Sequence, residues 1–182
     1  IVFFGCTHDR MGFTLLASDS DGDGKDELLT LAVSGDGEND TRLASGEVYG
    51  YWGRTNWASE YDILLGEFDF AIQGPKGYHP GYRMSAGDLD GDGAQDVIFG
   101  QRRIAQFDSV YQETGRSGMG EYRIVFGGPR SRWARWNEIE DITDTWILGA
   151  DTGDIASAPG KFRYGYSMST GDRDADGIDD LL

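Results

Sequence analysis

The sequence predicts an all-β protein built from four-stranded antiparallel units, the pattern of β-propeller blades. Three observations predict it. A nine-residue acidic loop is spelled three times, opening at Asp19, Asp88 and Asp172. Each copy stands between the same short strand signals. Helix signals are weak throughout, and 133–138 is expected to form at most one short turn.

Upstream of the loops stand Gly12-Phe13-Thr14-Leu15-Leu16-Ala17-Ser18, Gly81-Tyr82-Arg83-Met84-Ser85-Ala86-Gly87 and Gly165-Tyr166-Ser167-Met168-Ser169-Thr170-Gly171. Period-two alternation places Phe13, Leu15 and Ala17 on one face of a first strand, as it does Tyr82, Met84 and Ala86. Downstream, 28–33 and 97–100 are short apolar runs suited to a second strand buried on both faces, and Leu181-Leu182 opens a third such run. A third strand is expected at Glu47-Val48-Tyr49-Gly50-Tyr51-Trp52-Gly53, matched by Glu121-Tyr122-Arg123-Ile124-Val125-Phe126-Gly127. A fourth is expected at Asp62-Ile63-Leu64-Leu65-Gly66, matched by Thr145-Trp146-Ile147-Leu148-Gly149. The opening Val2-Phe3-Phe4-Gly5 fits this last slot.

The chain therefore reads as the last strand of a preceding blade (1–5), blade A (12–66), blade B (81–149) and the first half of blade C (165–182). Unequal spacing with a constant motif means that insertions are absorbed in the connections, as in repeats of whole supersecondary units. Two complete blades cannot close a ring, since propellers need about four or more. The missing blades are expected from a longer chain or from neighbouring copies, and both ends read as interrupted.

The chain has 182 residues, 38% hydrophobic and 13% aromatic, enough for a packed core and against general disorder. Its formal net charge is -16, and the three loops hold nearly half of its 32 acidic residues. That charge argues against nucleic acid or an anionic membrane as a partner. No apolar run is long enough to span a membrane as a helix. Cys6 is the single cysteine, so no intramolecular disulfide forms, and a small packed thiol is expected there.

Each acidic loop carries carboxylates at positions 1, 3, 5 and 9 and a glycine at 6. Such alternation brings several oxygens to the inside of one tight turn, as a hard cation such as Ca²⁺ requires, and the glycine permits the turn. Without a cation the carboxylates repel, so binding is expected to couple to folding. An EF-hand would place a bidentate Glu at position 12 between helices, but position 12 is Thr30 or Phe99 inside an apparent strand. Dockerin-like loops fail the same test. Thrombospondin type 3 repeats pack such motifs densely with cysteines, and neither feature is present.

The stretch Gly81 to Gly100, with its Asp88-Leu89-Asp90-Gly91-Asp92-Gly93-Ala94-Gln95-Asp96 loop, and the following Ile124-Val125-Phe126-Gly127 strand resemble the FG-GAP repeat. That repeat is the blade unit of the integrin α-subunit propeller and of related surface proteins. The resemblance covers almost the whole chain in register and departs at Glu27, where Asp is usual. It implies three structural Ca²⁺ ions. Their ligands would be Asp19, Asp21, Asp23, the Lys25 carbonyl and Glu27; Asp88, Asp90, Asp92, the Ala94 carbonyl and Asp96; and Asp172, Asp174, Asp176, the Ile178 carbonyl and Asp180. The affinity expected is that of extracellular modules, roughly 10⁻⁴ to 10⁻³ M.

Strand order puts the metal loops on one face with the connections 54–61 and 128–144. The opposite face receives 34–46, 67–80, 101–120 and 150–164, and in integrin-like propellers that face contacts ligands. A protein or glycan partner is expected there. Arg102, Arg103 and Arg116 make 101–120 locally basic. Trp133 and Trp136, with Arg130, Arg132 and Arg135, form a cluster on the metal-loop side that either covers a blade or meets a partner, a sugar included. Asn39-Asp40-Thr41 is an N-glycosylation sequon in an expected exposed loop.

Catalysis finds little support: His8 and His79 stand in different connections, and there is no nucleophile elbow and no HExxH. The expected function is calcium-dependent adhesion or assembly outside the cell, by protein–protein contact. The alternatives are a carbohydrate-binding propeller, or a non-catalytic propeller attached to a secreted enzyme.

Overall fold

The computed structural model describes residues 1–75, 83–102, 120–148 and 168–182. They form an all-β structure with antiparallel sheets and very little helix. The strands are β1 (Val2–Phe4), β2 (Met11–Ser18), β3 (Glu27–Ala32), β4 (Glu47–Tyr51), β5 (Glu60–Asp62), β6 (Phe70–Gln73), β7 (Arg83–Gly87), β8 (Asp96–Arg102), β9 (Gly120–Val125), β10 (Trp136–Glu138), β11 (Thr145–Leu148), β12 (Thr170–Gly171) and β13 (Asp180–Leu181). A four-residue helix, α1 (Ile139–Ile142), follows β10.

The first sheet has the order β10-β6-β4-β3-β2, and the second β11-β9-β8-β7. Neighbours within both are antiparallel, except that β10 joins β6 in parallel. β12 and β13 repeat the β2/β3 and β7/β8 hairpins as a third, short antiparallel pair.

The fourth strand of the first sheet corrects the sequence reading. It is β6, Phe70–Gln73, paired with β4, and not 62–66. Within 62–66, Ile63–Leu65 is a 3₁₀ turn. The Asp62 side chain accepts from the Leu64 N–H at its start, and Gly66 ends it in the left-handed region at φ 74°. Leu64 and Leu65 point outward, 69% and 76% exposed, so this apolar run is not a core strand.

The same structure recurs in the second unit. There β10 and α1 precede β11 as β5 and the 3₁₀ turn precede β6. β1 pairs in parallel with β5, as β6 pairs with β10. β1 and β6 thus each carry a short parallel partner from the connection of the next unit. The turn expected at 133–138 is instead a 3₁₀ turn at Arg130–Arg132 followed by β10.

The core lies between the two large sheets. Leu29, Leu31, Val48, Phe70 and Ile72 face Val97, Phe99 and Val125, with Trp133 and Ile139 closing the cluster. Alternate residues of the same strands turn to the other side: Tyr49, Tyr51 and Ala71 pack there with Tyr61, Ile63 and Phe68. Gly50 faces Phe70 across the ladder, and a Cβ there would lie 2.1 Å from the Phe70 ring. The small residue seats the large one.

Cys6 packs against this second cluster, its thiol pushed up to about 11 by burial and the neighbouring Asp9 carboxylate, and so held protonated. Glu47 and Glu121, the first acids of the two third strands, are both buried. Glu47 accepts from the Tyr49 hydroxyl at 2.6 Å, and Glu121 accepts from Arg123 at 3.3 Å and from the Trp146 indole at 2.9 Å. Among the described residues no helix is long and apolar enough to cross a membrane.

Candidate metal centres

Each acidic loop joins the first two strands of its unit and is wound by its own side chains. The position-1 carboxylate accepts from the N–H of the position-6 glycine: Gly24 to Asp19 at 3.0 Å, Gly93 to Asp88 at 2.9 Å, Gly177 to Asp172 at 2.9 Å. The position-5 carboxylate accepts from the position-7 N–H: Lys25 to Asp23, Ala94 to Asp92, Ile178 to Asp176. At position 3, Asp21 and Asp90 accept from the Asp23 and Asp92 N–H groups. These short bonds within a turn are the local motif that Asp favours. They aim the carboxylates, and at Asp88 and Asp172 both oxygens accept from the loop backbone.

Two positive-φ residues make the turn, where the sequence pointed to one. Position 6 is Gly24, Gly93 or Gly177, at φ 83°, 91° and 92°. Position 4 also adopts positive φ: 71° at Gly22, 78° at Gly91 and 63° at Ala175. The glycines at 22 and 91 carried that signal. Ala175 holds the same conformation with a Cβ, at a steric cost.

The position-9 acid closes its loop, and in the first two loops it also ties the loop to the glycine just past the third strand. Glu27 accepts from the Ser20 N–H at 2.8 Å and the Gly53 N–H at 3.2 Å. Asp96 accepts from the Leu89 N–H at 2.8 Å and the Gly127 N–H at 2.9 Å, and Asp180 from the Arg173 N–H at 3.0 Å. Gly53 and Gly127 lie against the loop backbone, where a Cβ would come within 2.7 Å of the Lys25 carbonyl oxygen or 2.6 Å of the Ala94 Cβ. Burial raises both carboxyls above their ordinary range, Asp96 to about 6, against the lowering effect of the N–H donors.

Three groups of carboxylate oxygens result: Asp19, Asp21 and Glu27; Asp88, Asp90 and Asp92; Asp172, Asp174 and Asp176. Within each group the oxygens lie within 4.8 Å of one another. Two ligands of one Ca²⁺ ion, each at 2.3–2.6 Å, are at most about 5 Å apart, so the spacing and the all-oxygen donors fit that ion. Asp19 Oδ1 is buried with no hydrogen-bond partner, which leaves that oxygen open to a cation. Asp23 stands apart from the first group, turned toward Lys25 and Arg130. Asp96 and Asp180 likewise stand outside the second and third groups and serve as anchors.

Successive loops are clasped together, which the sequence reading missed. The Gln95 N–H donates to the Asp19 carbonyl at 2.9 Å, while the Asp19 N–H donates to Gln95 Oε1 at 3.1 Å. The Asp179 N–H donates to the Asp88 carbonyl at 2.8 Å, while the Asp88 N–H donates to Asp179 Oδ2 at 3.1 Å. Position 8 of one loop thus holds position 1 of the loop before it. The Gly128 N–H donates to the Ser20 carbonyl at 2.9 Å, so the start of 128–144 shares the metal-loop side, whereas Glu138 further along pairs with Arg42 of the opposite connection.

Other expected features fall as follows. Trp133 is 8% exposed and packs on Phe70 at 5.0 Å between ring centres. Its ring belongs to the core and offers no face to a sugar. Trp136 is half-buried against Tyr49 and Phe68. Arg132 pairs with Asp144, and Arg135 stacks on Phe68. Asn39 is exposed in a 3₁₀ turn at φ 61°. His8 is exposed. Arg103, Arg116, His79, Gly81, Tyr82, Gly149 and 165–167 lie outside the described residues, as do the connections 103–119 and 150–164; Arg102 ends β8.

The chain is also similar in sequence to a known protein. It is 34% identical over 102 residues to Integrin alpha-PS2 of Drosophila melanogaster. The match covers 56% of this chain and 5% of that protein. No family model matches the chain. The similarity points to an integrin-like FG-GAP region and agrees with the all-β sheets and the acidic loops.

Proposed function

We propose that this chain is a stretch of an integrin-alpha-like FG-GAP β-propeller that holds about three Ca²⁺ ions as structural fasteners. In this reading 1–5 closes a preceding blade, 12–66 extended to Gln73 is blade A, 81–149 is blade B, and 165–182 opens blade C. Further blades come from the same longer chain or from neighbouring copies. The single observation that carries the reading is the threefold convergence of carboxylate oxygens in loops that share the hydrogen bond from the position-6 glycine to the position-1 carboxylate.

Its work is non-catalytic: adhesion or assembly through a protein partner, outside the cell or at its surface. The partner binds on the face opposite the metal loops, where 34–46 is presented. That loop is held in shape by the Glu38 N–H donating to Gln73 at 2.8 Å and by a two-pronged Arg42–Glu138 pair. Thermal unfolding with Ca²⁺ and with chelator tests the fastener role: Ca²⁺ raises the midpoint, and an unchanged midpoint contradicts it. Exchanging 34–46 for a Gly-Ser loop of equal length should abolish partner capture while leaving the Ca²⁺-dependent midpoint in place.

A further inference from the structure

The first loop already holds a cation of the protein's own. Arg130, from the 3₁₀ turn of the second unit, donates through Nε to Asp21 and through Nη2 to Asp23 at 2.8 Å. Lys25 adds a second contact, Nζ to Asp23 at 3.0 Å. The Asp21 side chain is only 2% exposed beneath the guanidinium. Trp52 supports the arginine from the other side, with the guanidinium carbon 5.0 Å from its ring centre. Pro129 and the clasp from Gly128 to Ser20 set the root of the side chain beside the loop. Among the described residues, the carboxylates at positions 1, 3 and 5 of the second and third loops have no such ion pair.

Building on the proposed Ca²⁺ sites, we infer that Arg130 is a resident counter-ion of the first loop, which a divalent ion must displace from Asp21. The first loop is then the weakest Ca²⁺ site of the three and holds its shape with the metal gone. A fork-shaped cation bridging two carboxylates satisfies the same charges that Ca²⁺ would, and both cannot sit on the same Asp21 oxygen. When the ion enters, it takes over the Asp21 oxygen that Arg130 releases, beside the oxygens of Asp19 and Glu27 already gathered there. Arg130 keeps its seat on Trp52 and its bond to Asp23. Metal at the first loop therefore loosens one contact between the first and second units while tightening the loop itself. The second and third loops, which meet no guanidinium among the described residues, depend on metal for their charge balance.

The test is calorimetric titration of the full chain with Ca²⁺. With the second and third loops silenced by Asp90→Asn and Asp174→Asn, Arg130→Gln should tighten the remaining site by about tenfold or more, the scale of one charged hydrogen bond. With the first loop silenced by Asp21→Ala, Arg130→Gln should change nothing. Arg130→Lys, which keeps the charge and loses the fork, should fall between, and serves if the glutamine variant does not fold. Thermal unfolding without metal reports folding of each variant. If Arg130→Gln leaves the first site unchanged or weakens it while the other loops bind Ca²⁺, the counter-ion inference fails and the metal reading stands. If no loop takes up Ca²⁺ in the unmodified chain, both fail.

Discussion

Gln95 and Asp19 hold each other by two hydrogen bonds, backbone to backbone at 2.9 Å and side chain to backbone at 3.1 Å. The loops that carry the candidate metal ligands are therefore joined across the boundary between sheets. Asp179 and Asp88 repeat the clasp with a carboxylate in place of the amide. The position-1 residue is at once a candidate ligand and a link to the next unit. Ion binding and the packing of neighbouring units act on the same residue.

Gln95→Ala removes the side-chain half of that clasp and leaves the Gln95 N–H to Asp19 intact. A loss of about 1 kcal/mol in chemical denaturation is expected, with a weaker first Ca²⁺ site. Unchanged stability and unchanged Ca²⁺ affinity would show that the clasp is incidental.

Ala175 stands where the other loops have Gly22 and Gly91, at φ 63°. Relieving a Cβ in the left-handed region gains more than the added chain entropy of glycine costs. Ala175→Gly should stabilise the protein by about 0.5–1 kcal/mol. A destabilised variant would mean that the Ala175 side chain makes a contact worth more than its strain.

Trp133 packs against the touching rings of Phe70 and Trp52. Trp133→Ala should cost about 3–5 kcal/mol by opening a cavity between the sheets. A variant that unfolds normally and loses only glycan binding would contradict the core assignment.

Glu47 is buried, and that burial raises its carboxyl above the ordinary 4.5, with Asp9 adding to the effect and the Tyr49 hydroxyl opposing it. The folded chain therefore keeps this proton when the unfolded chain has released it. Stability falls as pH rises from the ordinary carboxylate value through the raised one, and the penalty persists at neutral pH. Glu47→Gln, which still accepts from Tyr49, should remove that slope and raise stability at pH 7. Denaturation midpoints at pH 4, 5.5 and 7 check this; a variant less stable at pH 7 would reverse the sign.

The first three strands of each unit were legible because their pattern is local: alternation in Phe13, Leu15 and Ala17, and unbroken apolar runs such as Leu28 to Val33. The fourth strand of the first unit was not. Ile63-Leu64-Leu65 and Phe70-Ala71-Ile72 are equally apolar, and β4 chooses the second because Gly50 leaves room for the Phe70 ring. Asp62 and Gly66, a cap and a left-handed stop, were the available warning.

In the loops, positions 1, 3 and 5 were readable from spacing. The anchoring by Glu27 and Asp96, the position-8 clasp and the seat of Arg130 were not. Each joins residues far apart in the chain, and no periodicity encodes such a pair.

Calorimetric titration of the full chain with Ca²⁺ decides whether the three loops hold the ion. About three ions should be taken up, with one lost in each of Asp21→Ala, Asp90→Ala and Asp174→Ala, and all three lost in the triple variant. Uptake that is absent, or that persists undiminished in the triple variant, would contradict the account.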